Sequence, residues 1–147
     1  EVADYFSEKG YKIIITGSKE EGILAEEIKK YSINKKQVID ACGKLSIKES
    51  GILLKKASLL IATDTAIIHL AYQEPINAKI VELMGPSLPE VVGAWPLNSP
   101  GHKILIDKGP CCRSMRKLPF KNNFNCLENI KVEEVIKAGE KLLQIPS

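Results

Sequence analysis

Leu59-Leu-Ile-Ala-Thr-Asp64-Thr-Ala-Ile-Ile-His69-Leu-Ala71 opens as an apolar run, ends that run in Thr63, Asp64 and Thr65, and resumes at once with helical spacing. It predicts a strand over Leu59–Thr63 that turns directly into a helix over Thr65–Gln73. The same alternation extends to both sides. Further strands are expected at Tyr11–Thr16, Gln37–Asp40, Lys79–Met84 and Lys103–Ile106, and helices at Glu20–Tyr31, where Ile23, Leu24, Glu27 and Ile28 are spaced for one face, and at Ile47–Ala57. A continuous run such as Ile13-Ile14-Ile15 suits a strand covered on both faces, as in a parallel sheet. Strand, helix, strand in succession predicts an α/β fold, a doubly wound parallel sheet of about five strands with right-handed crossovers.

Two helix starts carry capping-box spacing: Ser18 with Glu21, and Ser46 with Glu49. Glu1 to Lys9 reads as the end of a helix stopped by Gly10. A Cys-containing loop over 107–129 precedes a last helix over 131–143, with Val132, Val135, Ile136, Leu142 and Leu143 on one side. There is no internal repeat.

The chain has 147 residues, 44% hydrophobic against 27% charged, which is the balance of one globular domain over 1–147. A domain of this size buries roughly 68–70% of its unfolded surface, so neither disulfide nor metal is required for stability. Lys+Arg 21 against Asp+Glu 18, without a basic run, argues against nucleic acid as a partner. No apolar stretch approaches the roughly 18 residues of a membrane span and no leader opens the chain, so a cytoplasmic or peripherally bound protein is expected. It begins at Glu1, and its only methionines are Met84 and Met115, which suggests a fragment. Adjacent Cys111 and Cys112, with Cys126 and Cys42, lack the C-x₂-C spacing of a zinc ligand pair, so no metal is expected. Reduced thiols, or a disulfide between Cys126 and one of the pair on oxidation, both remain open.

Sheets of this kind bind ligands outside the carboxyl ends of their strands. At Asp64-Thr65 the start of a helix would present free N–H groups and a positive dipole end, which suits an anion; the alternative is that Asp64 or Thr65 merely caps the helix. His69, about one turn on, could reach the same mouth and donate to a phosphate oxygen, or serve as a core histidine. Gly17 could let backbone approach a ligand or form an ordinary turn. Gly43-Lys44-Leu45-Ser46 could line the mouth, Gly85-Pro86 would make a tight turn, and Ser87 could offer a hydroxyl to phosphate or sugar. Neither G-x-G-x-x-G nor G-x-x-x-x-G-K-[ST] is present, and no H-E-x-x-H appears.

Taken together, Asp64-Thr65-Ala-Ile-Ile-His69-Leu-Ala, Gly85-Pro86-Ser-Leu-Pro89, Pro100-Gly-His102-Lys-Ile-Leu and Cys126-Leu-Glu-Asn-Ile before a Glu-Glu-Val helix resemble glycosyltransferase family 9, which contains the ADP-heptose:lipopolysaccharide heptosyltransferases. The resemblance implies a two-domain GT-B enzyme, of which this chain looks like the C-terminal, Rossmann-like half that binds the nucleotide-sugar donor. It places donor contacts on Asp64, Thr65 and His69, an apolar side chain near the base at Leu45, and a ribose-holding acid at Glu20 or Glu21. Gly17, Ala66, Gly85 and Ser87 complete the expected donor site.

By the same resemblance the reaction inverts configuration and needs no metal or other cofactor. The donor is a nucleoside diphosphate sugar, ADP-heptose, and the acceptor is of lipopolysaccharide type at the inner face of the inner membrane, with peripheral association there. The catalytic base belongs to an N-terminal acceptor domain, so no catalytic residue is expected in this chain, nor activity from it alone. A strand and a phosphate-facing lysine that precede this region in the family are also expected to lie outside it. Two departures stand out: Ala66 replaces the family's glycine, which alters donor geometry if its φ is positive, and Ser87-Leu88-Pro89 lacks the usual Thr-Asp. Alternatives are a non-catalytic nucleotide-sugar-binding module and a GT-B-like sugar epimerase.

Overall fold

The computed structural model describes residues 1–73, 78–85, 89–93, 99–106 and 126–144. The chain forms two compact units, Glu1–Ser50 and Gly51–Ser147, and the division falls inside one helix.

The first unit holds helix α1 (Val2–Glu8), strand β1 (Ile13–Ile15), helix α2 (Gly22–Tyr31) and strand β2 (Val38–Asp40). Strands β1 and β2 pair in parallel, Ile13 with Val38 and Ile15 with Asp40. Gly10 ends α1 in the left-handed region at φ 89°, as its position after the apolar stripe predicts. The Tyr11 N–H then donates to the Phe6 carbonyl at 3.1 Å, and the buried Phe6 ring meets Tyr5 and Tyr11 edge-on.

Helix α2 departs from its sequence reading. Its one buried residue is Ala25, while Ile23, Leu24, Ile28 and Tyr31 are exposed. At 3.6 residues per turn, Ile23 lies roughly opposite Ala25, so a helix seated on Ala25 turns Ile23 outward. The β1–β2 ladder is likewise less enclosed than its apolar run suggests, since the paired Ile14 and Ile39 are both exposed.

Helix α3 (Ile47–Lys56) spans the division between the units. Its expected capping box forms: the Ser46 N–H donates to Glu49 Oε2 at 2.8 Å and the Glu49 N–H to Ser46 Oγ at 3.3 Å. The Ser46 N–H first, and then the Ser46 hydroxyl donating to the same oxygen at 2.7 Å, hold the Glu49 carboxyl below its ordinary pKa. Replacing Ser46 with alanine is expected to reduce stability by about 1 kcal/mol in denaturant titration, the usual effect of losing an N-cap.

The second unit continues with strand β3 (Leu59–Thr63), helix α4 (Ala66–Gln73), strand β4 (Lys79–Met84), the short helix α5 (Pro89–Val92), strand β5 (His102–Ile106), a 3-10 turn at Cys126–Asn129 and helix α6 (Val132–Leu143). Strands β3, β4 and β5 lie in that order, all parallel, with Leu59 opposite Lys79 and Ile80 opposite His102. The five expected strands are therefore present and parallel, in ladders of two and three. Leu54 of α3, Ile68 and Ala71 of α4 and Ile80 of β4 form the core, with Leu60, Ala62, Ile67 and Leu70 packed around it.

Helix α6 lies against the β3–β4–β5 sheet. It buries Val135, Ala138, Gly139 and Leu142, the i, i+3, i+4, i+7 stripe of an amphipathic helix. Ala138 and Gly139 take the place that the sequence reading gave to Val132, Ile136 and Leu143, which lie at the edge of the covered face, because small residues permit close approach to the strands. No helix among the described residues is long and apolar enough to cross a membrane.

Candidate functional site

At the carboxyl end of β3, the chain leaves the sheet through Asp64 and Thr65 and enters α4 at Ala66. The Thr65 hydroxyl donates backward to the Thr63 carbonyl at 3.2 Å, while the Thr65 carbonyl accepts from the Ile68 N–H at 3.0 Å. Thr65 therefore braces the strand–helix corner and does not cap α4 through its side chain. Asp64 turns instead toward His69, with its Oδ1 3.4 Å from Nε2. Among the described residues, neither side chain accepts a hydrogen bond from the first turn of α4; the Ile68 N–H goes to the Thr65 carbonyl, which leaves the Ala66 and Ile67 N–H groups open at the helix start.

His69 is half-exposed and Asp64 mostly covered. The carboxylate lies beside the ring and attracts it when the ring is protonated. Oriented N–H groups and an imidazole donor together suit a polyanionic group such as a diphosphate.

No non-glycine residue among those described has positive φ, so Ala66 sits in ordinary helical backbone with its methyl exposed. The alanine in place of glycine introduces no backbone strain. Gly85 follows β4, and a Cβ there would meet nothing within 4 Å, so no close approach at this residue requires glycine. Ser87 and Pro86, along with Cys111, Cys112 and Trp95, lie outside the described residues.

In the first unit, the loops after β1 and β2 are fastened together. The Gly43 N–H donates to the Gly17 carbonyl at 2.9 Å and the Ala41 N–H to the Ile15 carbonyl at 2.8 Å. Gly43 has φ 66°, and a Cβ there would lie 2.8 Å from the Lys19 Cα. This glycine, which the sequence shows only as one member of a candidate loop, is what lets the two loops meet.

Ser18 and Glu21 form the reciprocal hydrogen bonds of their box at 2.6 Å and 3.4 Å, yet α2 starts only at Gly22. The box closes a turn ahead of the helix. A Cβ on Gly17 would lie 2.7 Å from Glu21 Oε2, so the fold-back of Glu21 also depends on that glycine. Of the two acids considered for a ribose, Glu21 is thus committed to the Ser18 N–H, and Glu20 is exposed. The backbone at Glu20 and then the Ser18 hydroxyl hold the Glu20 carboxyl below its ordinary pKa. Leu45 is exposed at the rim of the β2 loop.

Asp40, at the end of β2, accepts from Lys44 Nζ at 2.7 Å and from the Cys42 N–H at 2.9 Å, and these bonds lower its pKa. Cys42 is a buried free thiol whose pKa is raised by burial first and by Asp40 second. Among the described residues, no group of three or more His, Cys, Asp or Glu is placed to hold a metal ion.

The second unit thus joins parallel strands to an open helix start beside an acid–histidine pair, chemistry that suits an anionic group. The family model for glycosyltransferase family 9 (heptosyltransferase) matches residues 1–119, and the chain belongs to that family. A family 9 glycosyltransferase from Veillonella parvula is similar to it at 30% identity, with a TM-score of 0.79 over 97% of this chain and 39% of that one. The E. coli ADP-heptose LPS heptosyltransferase II shares its fold at 20% identity and a TM-score of 0.72, again over 97% of this chain and 39% of the other. The chain therefore spans about two fifths of the length of these solved structures. No curated protein sequence matches it.

Proposed function

We propose that the chain is the donor-binding, C-terminal half of a GT-B glycosyltransferase that moves heptose or a related sugar from a nucleoside diphosphate, ADP-heptose, to a lipopolysaccharide-type acceptor. The observation that carries this reading is the Asp64–His69 pair at the open start of α4, in a chain of family 9. The N–H groups of that helix start and the His69 ring would take the diphosphate, and Asp64 would hold the ring in place. Charge developing on the leaving diphosphate is then met by fixed dipoles and an imidazole, so departure needs no metal in this reading. Within the first unit, Glu20 and Gly17 lie on the loop after β1 and Leu45 on the loop after β2, and by family resemblance they stay proposed contacts of the nucleoside, with Glu20 as the ribose acid. The acceptor-activating base would come from an acceptor domain outside this chain, and the reaction would invert configuration by direct displacement. Such an enzyme would work in the cytoplasm at the inner face of the membrane that holds its acceptor.

The non-catalytic alternative rests on Ala66 and on the second half of the architecture lying outside this chain. With that residue in unstrained helical backbone, the substitution gives it no structural argument. The test is sugar transfer by the complete enzyme with ADP-heptose as donor. His69→Ala is expected to lower kcat/KM by about 10- to 100-fold, the range for losing a charge-assisted hydrogen bond. An unchanged kcat/KM in the variant contradicts the assignment.

A further inference from the structure

Helix α2 carries more apolar surface than its sheet covers. Leu24, Ile28 and Tyr31, spaced i, i+4 and i+7, form one exposed line along it, and Ile23 and Ile33 stand 77% and 71% exposed at its two ends. Single exposed apolar residues are ordinary on a surface, but a continuous line of them that includes a tyrosine is the composition of a contact face. None of these residues belongs to the proposed donor site.

The charges beside the line decide what it fits. A step of roughly 100° per residue sets Ile23, Glu27 and Lys30 in a second line, roughly opposite the buried Ala25, so the first line lies between Ala25 and this charged flank. Glu26 and Lys29 fall on the sides away from both lines. Glu27 has no ion-pair partner among the described residues, although Lys30 is only three positions on. The Lys30 ammonium lies instead over the ring of Tyr31, 5.2 Å from its centroid. A carboxylate set among exposed apolar residues argues against burial in lipid, where an unpaired charge is costly, and calls for a partner that offers a cation at the matching place.

A second copy of α2 offers one. Two such helices laid antiparallel about a twofold axis beside Ile28 bring the charged flank of each against the same flank of the other. Ile28 then meets its own counterpart, Leu24 meets Tyr31 of the other copy, and Ile23 lies toward Ile33 of the other copy. In the same register Glu27 of each copy stands opposite Lys30 of the other, so both charges are matched twice. A parallel pair would instead bring this flank against the Ala25 side of the other helix, which is seated on its own unit, and would leave Glu27 unmatched.

We propose that α2 is the contact face of a weak homodimer, in which two copies of this helix pair antiparallel and the charges of Glu27 and Lys30 cross the axis. One line of this length covers less than the roughly 1,200 Å² at the lower end of stable interfaces, so the dissociation constant is expected on the order of 100 µM. The proposal rests on α2 alone and stands or falls separately from the donor corner at Asp64 and His69.

The test is sedimentation velocity of the chain from about 10 µM to about 1 mM, over which the monomer is expected to give way to a dimer. Glu27→Lys and Lys30→Glu are each expected to weaken association by about tenfold, because each sets like charges opposite one another twice. Both exchanges made in one chain restore the match and are expected to restore association. Ile28→Lys, which sets two ammonium groups together at the axis, is expected to abolish it. These positions are all exposed, so the variants are expected to keep the fold. A monomer at every concentration overturns the proposal, and so does association that the single exchanges leave unchanged or that the double exchange fails to restore. The same order of affinities is expected in the complete enzyme. Loss of wild-type association there would show that the rest of the protein covers the line, which also overturns the proposal.

Discussion

Ile68→Ala is expected to lower the unfolding free energy by about 2–5 kcal/mol, measured by chemical denaturation at neutral pH. Ile68 is 0% exposed and packs with Leu54, Ala71 and Ile80, joining α3, α4 and β4. Removing its branched end takes apolar surface out of the core and leaves a void whose lining belongs to three different elements. The strand cannot shift to fill it without disturbing its parallel ladders to both neighbours, so little relaxation is available. A loss under about 1 kcal/mol would show that α4 is not seated as described. Because Ile68 immediately precedes His69, nucleotide binding should weaken in the same variant.

Gly43→Ala is expected to be nearly as damaging, at about 2–3 kcal/mol, by a different mechanism. The residue sits at φ 66°, where an alanine is strained by about 1–2 kcal/mol. The added methyl would also approach the Lys19 Cα to 2.8 Å, and a backbone atom cannot swing aside as a side-chain tip can. The β1 loop must therefore move as a whole, taking Gly17 and Glu20 with it and stretching the Gly43 to Gly17 hydrogen bond. Gly17→Ala is expected to be milder, because its nearest obstacle is the end of the Glu21 side chain. Equal losses for the two variants would contradict this ranking.

The strands were legible because parallel pairing leaves continuous apolar runs, and LLIAT and KIVELM match β3 and β4 to the residue. Helix starts at Ser46 and at the Asp64-Thr65 corner could be read from local chemistry alone. Burial was less legible. In α2 the apolar residues outnumber the places the sheet offers, and the small Ala25 took the buried one. Glu82 reads as an ordinary polar interruption of a strand; only the register that brings His102 beside it marks it as a buried pair. Gly43 is similar, since its need for φ above zero and for closeness to Lys19 depends on a loop 24 positions earlier.

The central claim is that the open start of α4, with Asp64 and His69, receives the diphosphate of a nucleotide sugar. The most direct measurement is a calorimetric titration of the chain with ADP, with UDP for comparison and with Asp64→Ala and His69→Ala as controls. Saturable binding that prefers ADP and is weakened in both variants is the predicted result. Binding that is unchanged in both variants would contradict the claim, because the nucleotide would then be held somewhere other than the Asp64–His69 corner.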